Sequence, residues 1–369
     1  MTTMRILHLD SGMTWRGGQQ QLYFLVKGLK NKNIKQHLVL KKEGFLARRL
    51  KDLDLPVTEL KLSSEFDFIS TFSLAMVIRQ FRPHLIHTHD SRTLSSAVFL
   101  RSMGFKFRIV ASRRVAYSIR HNPLWKFKYS FGADRIIAVS YYIRNLLIKD
   151  GLLPNQIEVV YDGANTVPPK RQYDRSMIRK QLGVKKNEFV IGCVGAFTSE
   201  KGHELLIRAF SLISNRKRQF RLVLVGDGPL LIQCQRLLRK LNLENSVTLT
   251  GFIVDLDEIF PAFDLLIQPS LSEGLGSVVL SGMAHQIPVC ASRIGGLPEI
   301  VIDGETGFLF SPEVPQNLAR AILDVSELPR LAQHQAEQAY LRLSKKFSVD
   351  HMVIKTLKVY SDVLRTRSS

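Results

Sequence analysis

Several strand-to-helix turns in this sequence carry residues suited to holding an anion and a polyol. In Gly195-Ala196-Phe197-Thr198-Ser199-Glu200-Lys201-Gly202-His203 a lysine and a glycine stand together at a helix entry. That pairing gathers an ammonium and several backbone amides around one point, which suits a diphosphate. A plainer reading has Ser199 capping the helix and Lys201 in solvent. In Ser270-Leu271-Ser272-Glu273-Gly274-Leu275-Gly276-Ser277 a carboxylate is followed by glycines, ahead of a helix predicted over 278–285. The carboxylate can accept from sugar hydroxyls while the amides that follow face an anion. Alternatively Glu273 only answers the positive end of that helix, worth about 0.3–1 kcal/mol. Val225-Gly226-Asp227-Gly228-Pro229 and Gly295-Gly296-Leu297-Pro298-Glu299 supply two further glycine turns.

The N-terminal half has its own candidates. Gly17 and Gly18, within Trp15-Arg16-Gly17-Gly18-Gln19-Gln20, follow a strand predicted over 5–9 and open a helix. A paired glycine there lets amides approach an anion, and a simple tight turn fits it equally well. It is not the GxGxxG fingerprint, and no acidic residue closes the next strand to hold a ribose, which disfavours simple dinucleotide binding. His87 and His89 lie in Leu85-Ile86-His87-Thr88-His89-Asp90. A histidine closing a buried strand is often a satisfied structural group, His87 more so because it alternates inward; for His89, just past the strand, a role in chemistry is the favoured reading.

Turns such as these work only if a scaffold brings them to one edge. Strand-like runs at 5–9, 37–40, 57–62, 84–87, 108–111, 135–139 and 158–161 alternate with helical periods such as 20–30 and 70–81. A second series occupies 189–194, 221–225, 247–251, 265–268, 289–291 and 307–310. Alternation of this kind predicts parallel sheets covered by helices, with ligands at the carboxyl ends of the strands. Between the series, 164–188 holds Pro168-Pro169 and several cations with little apolar periodicity, which reads as a linker passing into a helix. The expected organisation is an α/β protein of two Rossmann-like lobes, 1–164 and 165–348. A last helix, 349–369, carries Met352, Val353, Leu357, Tyr360 and Leu364 at helical spacing and should pack back on the first lobe.

Composition narrows the function classes. No run of 18 apolar residues exists and the start lacks a signal-peptide core, so a cytoplasmic, non-spanning protein is expected. Cys193, Cys234 and Cys290 are scattered with no CxxC, which argues for reduced buried thiols rather than disulfides or zinc. Residues 1–170 hold 27 Lys and Arg against 12 Asp and Glu, so most of the net charge of +20 sits in the first half. An excess of that kind suggests an anionic partner. The segments 44–53 (GFLARRLKDL), 104–108 (GFKFR) and 124–131 (LWKFKYSF) interleave apolar residues with cations and suit an anionic membrane surface, or are ordinary peripheral helices. No helix-turn-helix, zinc or RNP-type signature supports nucleic-acid binding. Asp52–Asp54 and Asp255–Asp257 are two Asp-Leu-Asp pairs, but the first follows a basic helical stretch and Asp255 can cap a helix, so neither indicates a metal.

Taken in order, Gly17-Gly18, GAFTSEKG, LVLVGDGP, VTLTGF, PSLSEGLGSVVLSGMA, PVCASRIGGLPEIV and DGETGFLF resemble the family-4 retaining glycosyltransferases of GT-B fold. The resemblance covers nearly the whole chain and is densest from Val190 to Pro312. It implies a nucleotide-diphosphate sugar as co-substrate, no cofactor and no metal, and transfer to an acceptor received by the first lobe, often lipid-linked. Gly17 and Gly18 would face the donor diphosphate, His89 would sit beside the donor sugar, and Lys201 would bind the departing diphosphate. Glu273 would hold a donor-sugar hydroxyl, with Gly274, Leu275, Gly276 and Ser277 nearby. The second carboxylate of the family's Glu-x7-Glu motif, a ribose ligand, is Ser281 here. The arginine that often follows the glycine of the diphosphate strand is Ala196, and Arg113, Arg114 or Arg293 could compensate. The expected activity is sugar transfer to a lipopolysaccharide-type or other cell-envelope acceptor, on the inner face of the membrane. A nucleotide-sugar epimerase of the same architecture, or a non-catalytic basic binding protein, are the alternatives.

Overall fold

A computed structural model describes residues 3–365 apart from 31, 33, 65–66, 121, 167–173, 215 and 217; Pro168 and Pro169 of the expected linker, and residues 366–369, lie outside the described residues. The chain divides into two units, one made of Met1–Gly163 with Val349–Ser369, the other of Ala164–Ser348.

The first unit alternates β1 (Met4–Asp10), α1 (Gly17–Leu29), β2 (Ile34–Lys41), α2 (Phe45–Arg49), β3 (Val57–Leu60), α3 (Phe68–Phe81) and β4 (Leu85–Thr88). It continues with α4 (Ser91–Ser102), β5 (Arg108–Arg113), α5 (Pro123–Ser130), β6 (Arg135–Ala138), α6 (Tyr141–Lys149) and β7 (Ile157–Val159). The strands form one parallel sheet in the order β3-β2-β1-β4-β5-β6-β7. Sequential strands therefore run outward from β1 on one side and from β4 on the other. Between β1 and β4 the direction of winding reverses, and the crevice outside their carboxyl ends is where such sheets bind ligands.

The second unit runs α7 (Arg175–Gln181), β8 (Phe189–Val194), α8 (His203–Ser211), β9 (Phe220–Val225), α9 (Leu231–Lys240), β10 (Val247–Gly251) and β11 (Leu265–Gln268). It is completed by α10 (Ser277–Ala284), β12 (Val289–Ser292), α11 (Leu297–Ile300), β13 (Phe308–Phe310), α12 (Pro315–Glu327) and α13 (Pro329–Lys346). Its parallel sheet has the order β10-β9-β8-β11-β12-β13, so its switch point lies between β8 and β11. β8 and β9 are buried along their whole length, as strands covered by helices on both faces must be. A core of Ile191, Leu206, Phe210, Leu222, Leu265 and Leu318 fills one side.

α14 (Val349–Arg365) returns to the first unit, where it lies against α1 and β5. Met352, Val353, Val359, Tyr360 and Val363 are buried there with Ile6, Leu25, Leu85 and Val110. Burying side chains of this size contributes about 1.5–3 kcal/mol each, ample to hold this helix in place.

For one basic segment the packing selects between the two readings of the sequence. Leu46, Leu50 and Leu53 of 44–53 are buried with Leu22, Val26 and Leu38, and Arg49 lies over the Trp15 ring at 5.0 Å. The apolar face of α2 is used by the core, so this segment is an ordinary peripheral helix. Phe107 of 104–108 is buried too. Only 124–131 leaves Leu124, Phe127 and Phe131 in solvent.

Candidate active site

In the second unit, β8 feeds a short 3-10 turn, Ser199–Lys201, that ends at Gly202. Ser199 does not cap; α8 starts without a side-chain cap, and the Ser199 hydroxyl faces the Glu200 carboxylate at 3.4 Å. Lys201 is not in bulk solvent either. Its Nζ donates to Glu273 Oε2 at 2.7 Å, the two side chains being 25% and 12% exposed. The same oxygen accepts from Ser270 Oγ at 2.9 Å and from Gln268 Nε2 at 3.2 Å. Behind it, Ser292 Oγ at the end of β12 donates to the Ser270 carbonyl at 2.6 Å. Three donors on Oε2 fix the carboxylate, while Oε1 takes none of them and remains to accept a ligand hydroxyl. The residue types assign Lys201 and Glu273 to different parts of a ligand; the fold brings them together at the β8/β11 switch point.

The turn after Glu273 is shaped by what it must carry. Gly274, Leu275, Gly276 and Ser277 lead into α10, which has no side-chain cap and no acidic residue in its first turn. Among the described residues neither a side-chain cap nor a first-turn acid answers its positive end, an arrangement that suits an anion. Gly295 closes over this turn with φ +60°, and a Cβ there would meet the Glu273 carbonyl oxygen at 2.0 Å. The neighbouring Gly296 amide donates to that oxygen at 3.2 Å. Ser281 lies one turn into α10, and its hydroxyl donates to the Ser277 carbonyl of its own helix at 3.3 Å. His203, to which the sequence assigns no role, is buried and stacked on Phe197 at 4.1 Å. Burial, with the Lys201 charge beside it, lowers its pKa to about 4, so it stays neutral.

In the first unit, β1 and β4 lie side by side with His8 opposite His87. One nitrogen from each of His8, His87 and His89 falls within 4.8 Å of the others. His8 Nδ1 meets His89 Nε2 at 3.2 Å; His87 Nδ1 meets the Tyr360 hydroxyl at 2.6 Å and Nε2 meets Ser112 Oγ at 2.8 Å. Burial lowers all three pKa values, His8 to about 3 and His87 and His89 well below the usual range. Each is a neutral imidazole with one donor and one acceptor. Three imidazoles are also a donor set that a transition metal can use. Here the Arg114 charge, which helps depress His87 and His89, opposes a second cation. Asp10, at the end of β1, is pushed up to about 6 by burial and then by Asp90. It accepts from the Gly12 amide at 2.9 Å and from Gln19 Nε2. Gly17 and Gly18 open α1, which has no side-chain cap and no acid in its first turn.

His87 is structural, bonded on both nitrogens. Sequence reasoning does not single out His8, Gln268 or Ser270, and it names Arg114 only as one of three arginines that could stand in for Ala196. For His8 the signal was present: a histidine in β1 and two at the end of the fourth strand converge if those strands flank a reversal in winding order. The three cysteines are buried and free, and Asp255 caps a short turn by accepting from the Asp257 amide at 3.2 Å.

Two family profiles match this chain, one described as glycosyl transferases group 1 over residues 174–342 and one as glycosyltransferase family 4 over residues 15–167. The chain belongs to the group 1 glycosyltransferases. Among relatives of this family, an uncharacterised glycosyltransferase of Methanocaldococcus jannaschii is 35% identical over 64% of this chain and 62% of its own length. The N-acetyl-alpha-D-glucosaminyl L-malate synthase of Bacillus anthracis is 28% identical over 63% of this chain and 61% of its own. The chain thus spans about three fifths of the length of the curated relatives it matches. Among solved structures, the Anabaena protein HepE, determined with UDP-glucose, superimposes with a TM-score of 0.87 and 24% identity, over 97% of this chain and all of that one. The fold is accordingly that of the GT-B glycosyltransferases, two Rossmann-like units with a C-terminal helix returning to the first.

Proposed function

We propose that this protein transfers a sugar from a nucleotide-diphosphate sugar to an acceptor hydroxyl with retention of anomeric configuration. The observation that carries the reading is the Lys201–Glu273 pair beside the uncapped start of α10, at the switch point of the second unit. Breaking the bond between a sugar and a diphosphate builds positive charge on the sugar and negative charge on the leaving group. A fixed ammonium and helix-end amides stabilise that leaving group without requiring a metal ion. In this reading Lys201 and the amides of Gly274 to Ser277 take the diphosphate, and Glu273 Oε1 takes a donor-sugar hydroxyl. His89 and the Gly17-Gly18 turn are the first unit's own candidates for contact with a substrate. Ser281 stands where a ribose carboxylate would be, with a weaker contact in its place. HepE, determined with UDP-glucose, and a relative named as a glucosaminyl malate synthase fit a nucleotide-sugar donor and a hydroxyl acceptor. A panel of nucleotide sugars tests the proposal, since a donor at one hundred times its dissociation constant adds about 2.7 kcal/mol of stability. NMR of the product then reads the anomer. No stabilisation by any nucleotide sugar, or an inverted product, overturns it.

The acceptor is proposed to be a cell-envelope glycan or lipid met at the inner membrane surface. Among the described residues no helix is long and apolar enough to cross a membrane, but the first unit has a face that suits its surface. α3 exposes Ile69, Phe72 and Met76, α4 exposes Phe99 and Met103, and α5 and its end expose Leu124, Phe127 and Phe131. α4 packs against both α3 and α5, and Lys106, Arg120 and Lys126 are exposed in the same part of the chain. Each cation near anionic lipid is worth roughly 1 kcal/mol. Vesicles containing anionic lipid should bind the protein, less so with rising salt and less so for Phe72→Ser with Phe127→Ser. Neutralising Arg48, Arg49 and Lys51 should matter less, because their helix turns its apolar face inward. Binding indifferent to salt and to the aromatic pair removes the membrane reading.

A further inference from the structure

The second unit has a cavity that the chemistry proposed for Lys201 and Glu273 does not use. It encloses about 600 Å³ between the turn 302–306, which follows α11, and one face of α13. Clefts of that volume accommodate a small organic ligand. His334, Gln338, Leu341 and Lys345 stand at i, i+4, i+7 and i+11 of α13, so they share that face. The opposite face, with Ala332, Ala336, Ala339 and Leu343, is buried, and α13 packs on α10. The cavity face is open: Leu341 is 47% exposed, and a Cβ on Gly304 would meet nothing within 4 Å.

Three cations line the cavity, Arg342, Lys345 and Lys346, against the single carboxylate of Glu305. The two lysines lie in the last turn of α13, where the helix end favours positive charge. That accounts for the lysines but not for Arg342. Its guanidinium is half-buried over the Phe347 ring at 5.5 Å. Nε donates to the Ile300 carbonyl at 3.0 Å and Nη2 to the Glu299 carbonyl at 2.9 Å, so Nη1 is the nitrogen that neither bond uses. A guanidinium already held in place loses little freedom on binding a phosphate, which is what a preformed anion site requires. Beside the turn, Gln335 donates from Nε2 to the Gly304 carbonyl at 2.9 Å, while its Oε1 is buried and without a partner among the described residues. Buried acceptors are nearly always paired, so a hydroxyl or a water belongs at this oxygen.

We propose that this cavity is a further ligand site of the second unit, separate from the Lys201–Glu273 pair, and that it takes a phosphate monoester carried on a sugar or a nucleoside. Arg342 and Lys345 hold the phosphate, and Leu341 packs against the ring that bears it. An exposed leucine beside a fixed guanidinium suits a ligand with one charged end and one less polar face, rather than a bare ion. The site stands whether or not the Lys201–Glu273 pair transfers sugars, because none of its residues belongs to that pair or its donors.

NMR of the histidine ring protons tests this, with the His334 signal assigned by its loss in His334→Gln. Glucose 6-phosphate and uridine monophosphate are the probes; glucose, uridine and inorganic phosphate are the controls. At least one monoester should shift the His334 signal saturably, and the one that does so at lower concentration names sugar or nucleoside. Lys345→Glu, at an exposed position, and Leu341→Trp, which fills the cavity, should each weaken that binding roughly ten- to hundredfold, the size of a lost charge-assisted bond. Arg342→Lys keeps the charge without the fork and should lose less than Lys345→Glu. Lys201→Ala should leave the titration as in wild type; loss of binding there places the ligand at the other site and overturns the proposal. So does a His334 signal that neither monoester moves, inorganic phosphate binding as tightly as both esters, or wild-type affinity in Lys345→Glu and Leu341→Trp.

Discussion

Lys201 and Glu273 hold one another at 2.7 Å, and this changes what their substitutions should do. Lys201→Ala removes the ammonium that the proposed function places on the leaving group, and also one of three donors from Glu273. A charge-assisted hydrogen bond is worth about 1.5–3 kcal/mol, so turnover should fall roughly ten- to hundredfold, more in a dry site. The fold should survive, because Ser270 and Gln268 still hold the carboxylate. Unchanged turnover with a genuine donor would remove Lys201 from the chemistry. Glu273→Gln should reduce transfer more than it weakens the bare nucleoside diphosphate, since the proposed function assigns the carboxylate to the sugar; equal losses would make Glu273 a structural partner of the lysine. Both residues were legible in sequence because each stands in a glycine-rich helix entry. Their contact was not, since it depends on β8 and β11 being neighbours, as they are across a reversal in strand order. Ser270 and Gln268 gave no signal at all. They matter only through a carboxylate oxygen that the sequence does not locate.

At the scale of elements, period and turn chemistry carried the reading a long way. The runs at 189–194, 247–251 and 265–268 match β8, β10 and β11 end to end: β8 and β11 are buried strands that read as near-continuous apolar runs, whereas β10 is an edge strand that alternates valine and leucine with threonine. The run at 57–62 is shorter in the structure, β3 ending at Leu60. It is an edge strand, and its last residues have no partner strand to continue against. The basic helix α2 was open to two readings for a related reason: amphipathic spacing shows that a helix has an apolar face but not which surface covers it. Glycine turns are the elements most open to test. Gly295→Ala forces a left-handed alanine, costing about 1–2 kcal/mol, and drives its Cβ to 2.0 Å from the Glu273 carbonyl. Gly304→Ala has the same handedness, φ +79°, with nothing within 4 Å, and should show the strain alone. Urea unfolding should therefore rank Gly295→Ala well below Gly304→Ala, with nucleoside diphosphate affinity reduced only in the former. Equal stabilities would mean that the 295–296 turn does not press on the Glu273 loop.

For the whole molecule, the buried ionisable groups of the first unit set a pH dependence whose sign can be worked out. His8, His87 and His89 have folded pKa values below the 6.5 of the free side chain, His8 at about 3. Their contribution is fully present above pH 6.5 and is lost as the pH falls, because the unfolded chain takes up protons that the folded one refuses. Asp10 works the other way. Its folded pKa of about 6 lies above the free value of 3.8, so its contribution is fully present below pH 3.8 and is lost as the pH rises through 6. Near pH 5 the three histidines therefore oppose one aspartate, and unfolding takes up a net two protons or so from this cluster. Each proton is worth about 1.36 kcal/mol per pH unit, so stability should fall by roughly 2–3 kcal/mol for each unit below pH 6. Asp162, also raised by burial, trims this slope without reversing it. In the second unit His203, lowered to about 4, adds to it. Urea midpoints at pH 7, 6 and 5 measure the effect, and His8→Leu should flatten the slope by about one proton while preserving the packing around β1. A protein equally stable at pH 7 and pH 5 would mean that the three imidazoles are not held neutral, and a His8→Leu slope equal to that of wild type would take His8 out of the cluster.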